Sequence, residues 1–167
     1  KMSIPEGKLY GDVDIAAGKI AEHHPSTYIT TRVAAGAIIF GQALAKGASE
    51  DQVKTPAAGS DAFCGVAGWS TEATDFDDGA YAAADPVAQV EIGVVMVYVE
   101  EAVDVGDPVR IRHTASGEKA PGAFCTTADA GKTSLVTGAE FRGSTTGAGY
   151  VPLYVKGLFT TTPDPAG

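Results

Sequence analysis

Residues 92–99 read Ile-Gly-Val-Val-Met-Val-Tyr-Val. Valine branches at Cβ, which crowds a helical backbone and suits a pleated one. The run therefore predicts a buried strand at the centre of the fold. It is far too short to cross a membrane, which takes about 20 apolar residues. The residues that follow, Glu100-Glu-Ala-Val-Asp-Val-Gly-Asp-Pro-Val109, read as a strand end and a turn. Gly106 supplies the permissive dihedral of a tight turn, and Pro108 opens a strand where no ladder N–H is needed. Val109, Arg110, Ile111 and Arg112 alternate apolar and basic, which predicts a strand with one wet face ending at His113.

Outward from this centre the texture stays β. Upstream, residues 32–40, 41–46 and 62–69 read as strands, with a polar loop over 47–61 that contains Pro56 and Gly59. Asp77-Asp78-Gly79 is a turn signal. Residues 80–84 and 87–91 read as two short segments divided by Asp85-Pro86. Downstream, residues 121–127, 134–142 and 150–158 read as strands, the last two joined by a Gly-rich hairpin loop over 143–149. Many short strands punctuated by turns predict an all-β fold, a compact β-barrel or a jelly-roll-like sandwich of antiparallel strands. Residues 32–159 form its expected body. Residues 1–31, with scattered Gly and Pro, the triplet His23-His24-Pro25 and at most a helical turn or two over 14–22, read as an extended N-terminal arm. Residues 160–167 read as a polar C-terminal tail.

A chain of 167 residues makes one domain, since domains run to about 100–200 residues. Its 21 glycines exceed the usual share of about 7%, which fits turn chemistry between strands. The net charge of −9 repels phosphate backbones and anionic membrane surfaces, and no Lys/Arg run offsets it. No nucleic acid or membrane is expected as a partner. The N-terminus has no apolar stretch of the secretory kind. Cys64 and Cys125 lie outside any Cys-x-x-Cys pattern, so two reduced thiols acting as small hydrophobes are expected rather than a disulfide.

No catalytic, cofactor-binding or metal-ligating residues are assigned. There is no Walker loop, His-Glu-x-x-His or Gly-x-Ser-x-Gly elbow. His23 and His24 are adjacent and would point apart on a strand, and His113 is distant in sequence. Both are expected as surface residues, as is His113 at its strand end. Asp75-Phe76-Asp77-Asp78-Gly79 fails the EF-hand register and reads as a surface turn. Glu100, Glu101, Asp104 and Asp107 form an acidic cluster that could do acid–base work, and that more simply solvates a loop or meets a basic partner. Trp69 and Tyr10, Tyr28, Tyr81, Tyr98, Tyr150 and Tyr154 are dispersed, which favours core or interface use over a sugar platform.

One resemblance joins these segments. The ordered stretches Arg32-Val-Ala-Ala-Gly-Ala-Ile-Ile-Phe-Gly41, Asp61-Ala-Phe-Cys-Gly-Val-Ala67, Val95-Met-Val-Tyr-Val99 with its turn Val103-x-x-Gly106-Asp107-Pro-Val109, Thr137-Gly-Ala-Glu-Phe141 and Gly149-Tyr-Val-Pro-Leu-Tyr154 resemble the structural cement (capsid decoration) proteins of tailed bacteriophages. The resemblance covers residues from about 30 to 158 and leaves the arm out. It implies a non-enzymatic virion protein, assembled in the host cytoplasm, that binds the outside of the capsid. The implied partner is the major capsid protein, met at junctions between its subunits, and the implied effect is reinforcement of the head. It also implies self-association, with a dimer favoured over a trimer. No cofactor is implied. The matched Gly41, Gly65, Gly106 and Gly138 are expected at turns or tight packing, and Val97, Val99 and Val109 in the core. The alternative reading is a carbohydrate- or receptor-binding β-module of the virion surface. A small β-barrel enzyme is a further one, which requires a cleft with a convergent acid/base set.

Overall fold

The computed structural model describes residues 17–22, 25–75 and 78–165. These form β1 (Ile20–Glu22), β2 (Tyr28–Ala34), β3 (Ile38–Ile39), β4 (Ala43–Lys46), β5 (Gln52–Lys54), β6 (Phe63–Ala67), β7 (Ala80–Tyr81), β8 (Pro86–Val99), β9 (Arg110–Arg112), β10 (Phe124–Cys125), β11 (Thr133–Phe141) and β12 (Gly149–Pro163). No α-helix occurs among the described residues. The fold is all-β, as expected, and of the two expected architectures it is the barrel.

The barrel closes through five strands. β8 pairs with β12, β12 with β11, β11 with β9, β9 with β10, and β10 returns to β8 through Phe124 opposite Val99. The extra strands make a second circuit through the same β8, which pairs with β2 and β6 while β5 and β4 bridge them. The Val-rich run thus belongs to both circuits, which is why it must bury side chains along its whole length. Its odd-numbered residues Val95, Val97 and Val99 fill the barrel with Val151, Leu153, Val155, Phe124 and Phe141. A second core of Ile38, Phe40, Leu44, Val53, Tyr81 and Val87 lies in the other circuit.

Several boundaries differ from the sequence expectation. Residues 87–91 and 92–99 form one strand of 14 residues, because no turn residue separates Glu91 from Ile92. Pro86 stands at its first position, where a missing N–H is tolerated. The expected strand over 32–40 is instead two, β2 and β3, broken around Gly36. β12 runs to Pro163, past the expected start of the tail at residue 160. Thr160, Thr161 and Thr162 are β-branched and pair with Thr137, Val136 and Leu135 of β11. At the other end, β1 and the first half of β2 lie within the expected arm yet pair with β8, so residue 31 marks no edge of the sheet. Residues 1–16, His23 and His24 lie outside the described residues.

Gly138 shows why a glycine is required at one of these joints. It sits at φ +88°, and a Cβ there would stand 2.0 Å from the Leu158 carbonyl oxygen. The register between β11 and β12 shifts at this point, so the close backbone approach accommodates a bulge.

Candidate interaction surface

Residues directly opposite in an antiparallel ladder share a face. β8 and β12 are paired without interruption from Val99–Gly149 to Ile92–Lys156. Their odd-numbered members point into the barrel, so Tyr98, Met96, Val94 and Ile92 share the outer face with Tyr150, Pro152, Tyr154 and Lys156. This face is apolar and aromatic toward Tyr98 and Tyr150 and carries charged side chains around Tyr154.

At one end Tyr98 opposes Tyr150, their rings edge to face at 5.6 Å. They are 43% and 47% exposed. Beside them opens a groove of about 690 Å³, whose walls include Ile39, Phe40, Ala120 and Ala148, with Glu100 and Lys119 as polar members. In the middle, Tyr154 lies under Arg142 and Lys156, whose charged ends stand 5.0 and 5.7 Å from its ring. Glu140 pairs with both cations and has its pKa lowered, first by the hydrogen bond from Lys156. At the far end Ile92 opposes Tyr28 of β2 on one side and Lys156 on the other. Leu158, next along the outer face of β12, is 87% exposed. A leucine held that far into water by a paired strand contributes nothing to the chain's own core.

The acidic cluster does not converge on a cleft. Glu100 is buried, and its two carboxylate oxygens accept from Arg112 Nη2 at 2.6 Å and Nε at 2.8 Å. Lys119 reaches the same carboxylate at 3.2 Å. Glu101 accepts the N–H groups of Thr126 and Thr127. Burial works against its ionised form, but these two donors outweigh it and its pKa is lowered. Asp104 and Asp107 close a turn on each other: the Asp104 N–H donates to Asp107 Oδ2, and the Asp107 N–H to the Asp104 carbonyl. Glu100, Glu101 and Asp107 thus hold structural bonds through their carboxylates, and Asp104 through its backbone.

Arg112 corrects the expectation of a wet face on β9, being 1% exposed. Its second acidic partner is Asp129, accepting from Nη1 at 2.8 Å. The pKa of Arg112 is raised, first by the Glu100 hydrogen bond, and that of Asp129 is lowered, first by Arg112. Strand alternation could not reveal this, because the burial comes from loops that cover the barrel end. His113 is likewise buried rather than on the surface; its backbone N–H donates to the Lys132 carbonyl.

The remaining sequence candidates separate. Tyr81 is buried, donating to the Gly68 carbonyl at 2.6 Å. Trp69 borders a smaller recess of about 300 Å³ with Ile20 and Ile29, and Lys19 stands over its ring. Tyr10, Phe76 and Asp77 lie outside the described residues. The Asp75 carbonyl accepts from Asp78 and Ala80 N–H groups, the bonding of a turn. Among the described residues no group of three His, Cys, Asp or Glu side chains could hold a metal ion. Cys64 and Cys125 are free thiols, each pushed up to about 12 chiefly by burial.

Comparison with known proteins agrees with this geometry. A solved structure described as "The capsid of Myoviridae Phage XM1" contains a chain similar at a TM-score of 0.71 and 20% identity, covering 94% of this chain and 100% of the other. That likeness shows a shared fold. No curated protein matches. The model of the family described as structural cement protein (E217 gp24/Pam3 gp6) matches residues 13–156, reaching well into the stretch that the resemblance had left out. The chain belongs to the phage structural cement protein family.

Proposed function

We propose that this protein is a non-enzymatic structural component of a tailed-phage virion. It binds the outer surface of the capsid at junctions between major capsid protein subunits and stabilises the head. The family match over residues 13–156 carries this reading. The outer face of β8 and β12 supports it, and its end at Tyr28, Ile92, Lys156 and Leu158 is the proposed contact. An exposed leucine beside a tyrosine and a lysine suits a protein surface better than a small-molecule site.

Affinity per site need not be high. A symmetric oligomer engages several equivalent capsid subunits at once, so avidity replaces tight single contacts. A self-associated form, a dimer first, is part of the proposal. The charge of −9 opposes non-specific clustering of such oligomers before they meet the shell. The engagement of the Glu100, Glu101 and Asp107 carboxylates in structural bonds supports the non-enzymatic reading.

Co-sedimentation with heads lacking the protein tests this. Saturable binding, with heads that then resist heat or dilution better, is the expected result. The recess at Trp69 is the observation that favours a carbohydrate-binding module instead, and glycan-array binding lost in Trp69→Ala would select that reading.

A further inference from the structure

Two groups of exposed apolar side chains stand at opposite ends of the outer face of β8 and β12. Tyr28 and Leu158 mark one end. Ile39, Tyr98 and Tyr150, each about half exposed, mark the other, on the walls of the groove of about 690 Å³. From Tyr98 to Ile92 along β8 is about 20 Å at the rise of a strand. The two ends are therefore separate surfaces, and the one at Leu158 is assigned above to the capsid.

The charges on the groove single out what covers it. Ser116 and Lys119 exchange backbone hydrogen bonds at 3.1 and 3.2 Å around Gly117 at φ +61°. This tight hairpin holds Glu118 and Lys119 side by side on the groove wall. Glu118 is exposed and pairs with none of the described residues. Lys119 is 43% exposed and reaches Glu100 at 3.2 Å, and its ammonium has further donors for a second acceptor. An acidic partner would be repelled by Glu118, and a basic one by Lys119. A second copy of the chain answers both, because a two-fold contact repeats every pairing in reverse. We propose that a second copy covers this groove in an isologous contact. Glu118 of each copy meets Lys119 of the other, and Ile39 and the Tyr98–Tyr150 edge of each pack against the other's apolar walls. Such a dimer leaves the Leu158 end of both copies uncovered. The proposal rests on the self-association inferred above and locates it on the molecule.

Sedimentation velocity of the full chain over a concentration series tests this with no capsid present. A reversible dimer is expected. Tyr150→Glu and Glu118→Lys should each raise its dissociation constant at least about tenfold, the first by placing a charge in the contact and the second by setting like charges across it. Leu158→Glu should leave it unchanged. Lys119→Glu should also weaken the dimer, and mixing it with Glu118→Lys should restore a mixed dimer, since both pairings then regain opposite signs. Denaturation midpoints establish that the variants fold; if Lys119→Glu does not, Tyr150→Glu and Glu118→Lys decide. A wild type that stays monomeric overturns this proposal together with the self-association it rests on. A dimer indifferent to Tyr150→Glu and Glu118→Lys overturns this face alone, as does one lost in Leu158→Glu. Folded charge variants that fail to recover on mixing overturn the two-fold pairing. Failure to bind heads would change none of these outcomes.

Discussion

Arg112 and Glu100 form a two-point ion pair, Nε to Oε2 at 2.8 Å and Nη2 to Oε1 at 2.6 Å, with side chains 1% and 5% exposed. The pair locks β9 to the end of β8 where the barrel circuit closes. Its fork geometry satisfies the guanidinium on two edges, and Asp129 takes a third donor. Removing Arg112 leaves Glu100 buried with only Lys119 to neutralise it. Arg112→Ala is expected to cost about 3–5 kcal/mol, the range for breaking a buried pair from one side. Arg112→Met with Glu100→Leu should recover most of that loss, because no charge is then stranded. Urea denaturation of the three variants checks both outcomes.

Acid should unfold the protein through a small set of carboxylates. Asp85 is held below its ordinary range first by the Thr74 hydroxyl, and Asp129 first by Arg112. A depressed folded pKa contributes stability above the unfolded value and loses it as pH falls through the folded one. Stability from these groups is thus complete at neutral pH and falls below about pH 4, the ordinary carboxylate value. Asp129→Asn should flatten part of that acid slope while lowering stability at pH 7. Denaturation midpoints measured between neutral and strongly acid pH give the slopes.

Two glycines separate strain from collision. Gly106 at φ +96° has open space where a Cβ would go, whereas at Gly138 the Leu158 carbonyl occupies it. Gly106→Ala should cost about 1–2 kcal/mol from the backbone alone. Gly138→Ala should cost at least about 3 kcal/mol, because the bulge between β11 and β12 must also move. Thermal and urea unfolding of the pair rank them.

Both native thiols should be silent in the folded state. Cys64 and Cys125 are pushed up to about 12 by burial, so almost no thiolate exists at neutral pH. Alkylation is expected to be slow in buffer and to reach both cysteines in urea. Rapid native labelling of Cys125 would contradict its burial.

The central strand was legible because valine density is a local property. The register that makes Tyr98 and Tyr150 neighbours was not, since the two belong to different strands and only pairing joins them. Residues 150–158 were legible as a strand, but the outer face that Tyr150 and Tyr154 share comes only from the ladder with β8. Arg112 shows the converse failure. A basic residue at an alternating position reads as solvent-facing, and only the loop carrying Asp129 and the buried Glu100 reverse that. The break at Gly36 was signalled by glycine itself and outweighed in the reading by the apolar residues around it. The joining of residues 87–91 to 92–99 needed the knowledge that both circuits of the fold use one strand.

Co-sedimentation of the wild-type protein and of Leu158→Glu with heads lacking it tests the central claim most directly. Leu158 touches no core, so the variant should fold with an unchanged denaturation midpoint. The account predicts saturable binding of the wild type and at least about tenfold weaker binding of Leu158→Glu, as expected for a charge placed in a protein contact. No saturable binding by the folded wild-type protein would contradict capsid association. Equal binding by both proteins would contradict the assignment of the Leu158 end as the contact.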